Sequence, residues 1–312
     1  MLLLHLNQTD ETAWAQRLRR HLHEYPIVRR GDSFNRDDVR YVLVWKPLSD
    51  AFDGLDNLKA VLSYGAGVDA LLTHPHLPDA PIVRFVDPDL TARMGDYVVA
   101  NVMMHLRNQS AYIVQQRARS WRDHFPPRAA DVSVAIMGLG ELGRHAAERL
   151  GAQGFQVRGW SRSPKNIEGV VTFAGDGELD AFLADTDILV NLLPLTADTR
   201  GILRRALFVK LRRDRLPQGP VVINAARGGH QVEADLAAAL SDGTLGAASL
   251  DVFETEPLPG SSPLWALENC FITPHIAAVS HPESGARYFA NLIRGHEADE
   301  PLRNVVDRAR GY

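Results

Sequence analysis

The chain has 312 residues, enough for two domains of ordinary size with sizeable cores. Hydrophobic content of 45% and charged content of 23% are those of a soluble globular protein. The formal net charge of −4 gives no global basic field, so nucleic acid and anionic lipid are not expected partners.

Cys270 is the only cysteine, so no intramolecular disulfide forms, which fits a reducing, cytoplasmic setting. The opening, residues 1–6, is too short for the apolar region of a signal peptide and lacks a basic start. It reads as a buried first strand. No apolar run reaches the roughly 18 residues of a membrane span.

In chain order, residues 1–99 predict a small α/β unit. Apolar runs at 2–6, 41–45, 58–62 and 81–86 predict strands, and their alternation with helical or loop segments predicts a parallel sheet. Residues 9–23 carry Trp14, Leu18 and Leu22 at helical spacing, with Asp10 as candidate N-cap. The third run ends in Tyr64-Gly65-Ala66-Gly67-Val68-Asp69. Two glycines behind a strand expose backbone N–H groups that suit a carboxylate; a tight strand-to-helix turn is the other reading. Residues 91–121 predict one long helix, broken at most once. Tyr97, Val98, Ala100, Met104 and Ile113 leave it no wide polar side, which predicts burial between domains or against another subunit.

Residues 132–162 hold the most informative pattern. An apolar run is followed at once by Gly138-x-Gly140-x-x-Gly143, then by Leu142, Ala146 and Leu150 on one helical face, then by a strand over 155–160. Strand, glycine turn, helix and strand in this order are what a dinucleotide fingerprint requires. Gly138 permits the turn, Gly140 lets backbone approach a pyrophosphate, and Gly143 lets helix pack on strand. The helix N-terminus offers its N–H groups to the phosphates.

Further strands are predicted at 187–193, 221–225, 247–252 and 270–273, with helices at 231–240 and 282–297. The basic run Arg204, Arg205, Lys210, Arg212, Arg213 and Arg215 interleaves with Leu207, Phe208 and Leu211 and reads as the solvated face of a helix. The tail returns towards the first domain. The expected organisation is a discontinuous unit of residues 1–99 with 286–312, and a dinucleotide-binding unit of residues 100–285.

Behind the strand at 155–160 stands Ser161-Arg162-Ser163, with Lys165 just beyond, where an NAD enzyme carries a carboxylate for the ribose hydroxyls. Arg162 and Lys165 suit a 2′-phosphate, which favours NADP over NAD. Arg227, Glu256 and His275 lie on three strand-end loops of the same unit. Histidine titrates near neutrality, and a neighbouring carboxylate favours its charged form. The pair is then a proton donor suited to hydride addition at a carbonyl, and an arginine offers a bidentate clamp for a keto acid's carboxylate. His74-Pro75-His76 lacks cysteine or acidic companions and reads as an exposed loop; no metal site is expected.

With these residues in place the chain resembles the NAD(P)-dependent D-2-hydroxyacid dehydrogenase family over essentially its whole length. The likeness rests on Tyr64-Gly-Ala-Gly-Val-Asp69, Gly138-Leu-Gly-Glu-Leu-Gly143, Asn224-Ala-Ala-Arg-Gly228, Asp251-Val-Phe-Glu-Thr-Glu-Pro257 and Thr273-Pro-His275. Within the family it is most similar to the glyoxylate/hydroxypyruvate reductase group, through Val44-Trp45, Trp160-Ser-Arg162, Asn191-Leu-Leu-Pro194 and Asp307-Arg-Ala-Arg-Gly-Tyr312.

The resemblance implies two Rossmann-like α/β domains with parallel sheets, one of them flavodoxin-like and discontinuous, and a cleft between them. It implies NADPH-dependent reduction of glyoxylate or hydroxypyruvate and a homodimer formed through 91–121. His275 would be the general acid, Glu256 its orienting partner, and Arg227 the substrate clamp. Tyr64, Ala66, Gly67 and Val68 would hold the same carboxylate, and Trp45 would bound the pocket or cap a strand in the core. The cofactor would lie on Gly138, Leu139, Gly140, Glu141, Leu142 and Gly143, then Trp160, Ser161, Arg162, Ser163 and Lys165. Leu193, Pro194, Thr199, Ala225, Ala226, Arg227, Asp251, His275 and Ala277 would complete its surface, with Asp251 on the nicotinamide carboxamide. The segment after His275, Ile-Ala-Ala-Val-Ser280, departs from relatives that carry glycines there. A family dehydrogenase for a bulkier or different anion, and a nucleotide-sensing protein without turnover, are the competing readings.

Overall fold

The structure is a computed structural model and describes residues 1–65 and 67–312. Contacts divide the chain into two units, Met1–Leu90 with Ser280–Tyr312, and Thr91–Val279.

The first unit is built on β1 (Leu2–Leu6), β2 (Ile27–Arg29), β3 (Tyr41–Trp45), β4 (Ala60–Ser63) and β5 (Ile82–Arg84), all parallel, in the order β2-β1-β3-β4-β5. Its inner strands β1, β3 and β4 are buried and almost wholly apolar, because both faces are covered. On β3, Tyr41 and Leu43 point into one core while Val42 and Val44 point into the other. Helix α1 (Glu11–His21) starts where Asp10 accepts from the Thr12 and Ala13 amides at 2.9 and 3.0 Å, a cap that stabilises a helix by about 1 kcal/mol. It buries Trp14, Ala15 and Leu18. The four-residue α2 (Asp69–Leu72) follows the glycine turn.

Most of α3 (Pro88–Leu106) belongs to the second unit; its Met94, Val98, Val102 and Leu106 recur every four residues and enter one core. The predicted long helix breaks at Asn108, in left-handed conformation with φ 51°, before α4 (Gln109–Arg117). Helix α4 buries no residue within the chain, and Trp121 beyond it is 96% exposed, so within the chain the stretch is covered only along α3.

The sheet of this unit has seven parallel strands in the order β12-β11-β10-β9-β6-β7-β8. They are β6 (Ser133–Met137), β7 (Gln156–Ser161), β8 (Val170–Ala174), β9 (Ile188–Asn191), β10 (Val221–Asn224), β11 (Ala247–Leu250) and β12 (Cys270–Ile272). On β6, Val134 and Ile136 enter the core shared with α3 and α5 (Glu141–Ala152); Ala135 and Met137 enter the opposite one. The second face is covered by α6 (Leu179–Ala184), α7 (Arg205–Phe208) and α8 (Glu233–Ser241). Only four residues of the basic run form helix. Its charges lie mostly at the surface over the buried Leu207, Phe208 and Leu211, as expected, and Arg205, Lys210 and Arg212 pair with Asp242, Asp180 and the buried Asp187.

Helix α9 (Pro282–Glu297) returns to the first unit with Ala286, Phe289, Ala290 and Ile293 in its core. A side chain at Gly285 would meet Trp14 at 2.8 Å and Tyr64 at 2.9 Å, so α9 packs there from its first turn. The boundaries expected at 99/100 and 285/286 therefore lie inside α3 and α9, beyond where each helix already packs with its own unit. Two short strands with partly exposed patterns, β2 and β8, were not predicted. No helix among the described residues is long and apolar enough to cross a membrane.

Candidate active site

Every pairing in the seven-stranded sheet is parallel, so all its strand C-termini share one edge. The order reverses at β6, whose neighbours are β7 and β9, and ligands of open α/β sheets bind at such a switch point. Gly138 leaves β6 with φ 101°, and a Cβ there would lie 2.7 Å from the Leu192 carbonyl oxygen. A Cβ on Gly143 would lie 1.8 Å from the Gly138 carbonyl oxygen, so α5 rests directly on the turn. A Cβ on Gly140 would meet nothing within 4 Å, and the helix start it caps has no side-chain cap. The open side of Gly140 and the uncapped amides of Glu141, Leu142 and Gly143 fit a pyrophosphate. Leu139 is buried under Gly159, Leu142 packs on the same core, and the Glu141 carboxylate pairs with Arg144 at 3.1 Å.

Beyond β7, Trp160 is buried and donates from Nε1 to the Gly175 carbonyl at 2.9 Å; Ser161 donates to the Ser163 carbonyl at 2.8 Å. That turn presents Arg162, Ser163 and Lys165 exposed, with no acidic residue among positions 161–165. Behind β9, Thr199 donates to the Pro194 carbonyl at 2.7 Å and accepts from the Thr196 amide at 2.9 Å, which closes the loop that follows Leu193.

A buried amide network ties the next loops together. Asn191 donates to Asn224 at 3.0 Å, Asn224 donates to Gln231 at 2.9 Å and to the Arg227 carbonyl at 3.1 Å, and Gln231 donates to the Val252 carbonyl at 3.0 Å. Asn224 also accepts from the Ala226 amide at 3.2 Å, which shapes the turn through Ala225 and Ala226. His230, fully buried, lies 3.2 Å from the Pro194 carbonyl. Asn191 and Asn224 open two of the motifs that carry the family likeness, but none of these side chains was given a positioning role from sequence, because the pairing of Asn191 with Asn224 and of Gln231 with Val252 appears only in the fold. Arg227 donates from a guanidinium nitrogen to the Ala226 carbonyl at 2.7 Å.

His275 and Glu256 meet, Nδ1 to Oε2, at 2.8 Å. The other Glu256 oxygen accepts from the Phe253 amide at 3.1 Å, so the carboxylate is held at both ends. Nε2 of His275 is left as the nitrogen available to a reactant. Asp251, buried behind this pair, accepts from the Ile276 and Ala277 amides at 2.8 and 2.9 Å. Burial pushes the Cys270 thiol up to about 12, which leaves it protonated and unsuited to nucleophilic chemistry.

In the five-stranded unit, Trp45 ends β3 half-buried. A side chain on Gly65 would come within 2.8 Å of its ring. Tyr64 packs edge-on to Trp14 and Trp45, with centroids 4.6 and 5.9 Å away, and donates to the Ser280 carbonyl at 2.8 Å. Gly67 is exposed and Val68 buried at the start of α2. Ala66 lies outside the described residues. Among the described residues no group of three or more His, Cys, Asp or Glu side chains is placed to hold a metal.

The family model for the NAD binding domain of D-isomer specific 2-hydroxyacid dehydrogenases matches residues 99–277. This chain belongs to the D-isomer specific 2-hydroxyacid dehydrogenases. It is 41% identical over 318 residues to glyoxylate/hydroxypyruvate reductase A of Salmonella enteritidis, with all of both chains covered. A probable 2-hydroxyacid dehydrogenase from Rhizobium etli, solved with NADP, HEPES and L(+)-tartaric acid, superposes with a TM-score of 0.93 at 48% identity. The match covers 100% of this dehydrogenase and 99% of that chain. An NADPH-dependent glyoxylate/hydroxypyruvate reductase from Sinorhizobium meliloti, solved with NADP and sulfate, gives a TM-score of 0.90 at 45% identity, again over 100% and 99% of the two chains.

Proposed function

We propose that this dehydrogenase reduces a small 2-keto acid, glyoxylate or hydroxypyruvate, to the 2-hydroxy acid with NADPH. The observation that carries the proposal is the 2.8 Å His275–Glu256 pair on the ligand-binding edge of a dinucleotide sheet. Glu256 holds Nδ1, so Nε2 gives its proton to the substrate's carbonyl oxygen. Bound NADPH supplies the hydride. Arg227 receives the substrate carboxylate, and the turn containing Tyr64, Ala66, Gly67 and Val68 is assigned to anion binding. Trp45 bounds the space for a small substrate. Arg162 and Lys165 meet the 2′-phosphate, with Ser161, Ser163 and Trp160 shaping their turn. Leu193, Pro194, Thr199, Ala225, Ala226 and Ala277 form the remaining surface for the cofactor. An ionised carboxylate has about four acceptor positions, so Asp251, with three donors on it, keeps one for the nicotinamide carboxamide. The NADP-bound relatives and the missing acidic residue after β7 both support the cofactor choice.

A panel of keto acids assayed with both cofactors tests the proposal. Oxidation of NADPH is expected with glyoxylate and hydroxypyruvate and should be much slower with NADH; a protein that oxidises neither cofactor with any keto acid would sink it. We further infer a homodimer through residues 91–121, since Ile113, Val114 and Trp121, with Phe125 just beyond, leave apolar surface on the α4 region. Sedimentation showing only monomer at micromolar concentration would refute that association.

A further inference from the structure

Asp251 grips the His275 loop at four of its five positions from Thr273 to Ala277. Its Oδ1 accepts from the Thr273 hydroxyl at 2.6 Å and from the Ile276 amide at 2.8 Å, and its Oδ2 accepts from the Ala277 amide at 2.9 Å. Its backbone carbonyl accepts from the His275 amide at 2.8 Å. Inside that grip His275 has φ 55°, a left-handed conformation that a non-glycine residue keeps only where its surroundings impose it.

The grip has an anchor on a different element. The Tyr97 hydroxyl, on α3, lies 3.0 Å from Thr273 Oγ1. A carboxylate only accepts, so Thr273 spends its single hydroxyl proton on Asp251 and its oxygen accepts from Tyr97. The donor order is therefore Tyr97 to Thr273 to Asp251. Burial pushes the Tyr97 phenol up to about 12, so the first donor keeps its proton at neutral pH. Helix α3 is itself fixed by Met94, Val98 and Val102 in the core, so the chain of hydrogen bonds starts from a rigid support.

We propose that Tyr97 and Thr273 are positioning residues, which act through Asp251 to hold the backbone that aims the His275 imidazole. The proposal rests on the role given to His275 above. Neither side chain touches the reacting atoms in this scheme; each keeps the proton donor in register with a bound carbonyl.

Steady-state kinetics and fluorescence titration of NADPH on Thr273→Val, Thr273→Ser and Tyr97→Phe, with His275→Ala alongside, test the proposal. Misplacing a catalytic group costs up to about 100-fold, so Thr273→Val should lower kcat with glyoxylate by roughly 10- to 100-fold. KM for glyoxylate and Kd for NADPH should each move less than about threefold, because the lost interaction serves the chemical step. Thr273→Ser keeps the hydroxyl and should restore most of kcat, while Tyr97→Phe, which leaves the Thr273–Asp251 bond, should fall between. A Thr273→Val enzyme with wild-type kcat overturns the proposal, as does a Thr273→Ser enzyme as impaired as Thr273→Val. Should Thr273→Val not fold, wild-type kcat in Tyr97→Phe overturns it. A fully active His275→Ala removes the role of His275 itself, whereas an inactive His275→Ala beside an unimpaired Thr273→Val overturns only the positioning chain.

Discussion

Arg162 and His275 show how much chemistry depends on where a single side chain is held. Arg162 stands on the turn behind β7, shaped by the Ser161–Ser163 hydrogen bond, where a carboxylate would select NAD. A charge-assisted hydrogen bond contributes about 1.5–3 kcal/mol, so Arg162→Ala should weaken NADPH binding by about 10- to 100-fold. NADH has no 2′-phosphate and should lose much less. Fluorescence titration of both cofactors measures the difference, and an equal loss of both would count against the assignment. His275 carries a local cost for its place: a left-handed backbone is disfavoured by about 1–2 kcal/mol in a residue with a Cβ. His275→Ala keeps that backbone problem and removes only the ring. Losing a general acid costs about 10²- to 10⁴-fold, so kcat should fall by that amount while NADPH still binds. Turnover near the wild-type rate would remove His275 from the mechanism.

The loops behind β10 and β11 work as one element. A Cβ on Gly228 would lie 1.9 Å from the Phe253 carbonyl carbon and oxygen, so the turn that carries Arg227 is pressed backbone to backbone against the segment that leads to Glu256. The Asn224–Gln231 amide pair and the Gln231 bond to the Val252 carbonyl lock the same two loops from beneath. Buried amides of this kind hold geometry well because leaving one unpaired costs about 1–3 kcal/mol. Gly228→Ala must push the two loops apart, and a displacement of this kind should lower kcat/KM for glyoxylate by roughly 100-fold. Gly260→Ala, whose added Cβ meets nothing within 4 Å, should leave it unchanged. Matching kcat/KM values for the two variants would show that the backbone contact does not set the site.

Across the whole molecule, each unit buries a histidine that must stay neutral. His105, 3% exposed on α3, is 2.8 Å from Ser249 Oγ on β11, and burial lowers its pKa from 6.5 to about 4. His5, 3% exposed on β1, is also lowered by burial, and Asp50 at 3.8 Å only partly opposes this. The folded state therefore takes up these protons less readily than the unfolded chain. Stability from His105 is fully present above pH 6.5 and is lost as the pH falls from 6.5 through about 4. Melting temperature should drop over that range, and His105→Gln, which keeps a partner for Ser249 without a titratable ring, should drop less steeply. Identical slopes in the two proteins would exclude His105 as a source of the acid sensitivity.

What the chain determined alone was chiefly what depends on neighbours in sequence. The fingerprint at Gly138–Gly143 was legible because a turn, a strand end and a helix start lie within six residues: Gly138 takes φ 101°, Gly143 has no room for a Cβ against the Gly138 carbonyl, and Gly140 stays open for a phosphate. Continuous apolar runs foretold strands covered on both faces, and Asp10 and Pro282 marked helix starts. The edge strand β2 escaped because its three residues are too short to stand out as a run, whereas β8 carries an apolar run, Val170-Val171-Thr172-Phe173-Ala174, yet was not predicted. The solvated side of the basic stretch behind Arg204 was legible from the buried Leu207, Phe208 and Leu211, but its acidic partners, Asp180, Asp187 and Asp242, were not, because they stand tens of residues away along the chain. The same reason hid the Asn191–Asn224–Gln231 network and the Tyr97–Thr273–Asp251 chain. A hydrogen bond between distant loops leaves no pattern in the residues on either side of it. Sequence named Glu256 and His275 as candidates; only the folded sheet edge set Nδ1 against a carboxylate and left Nε2 available to a substrate.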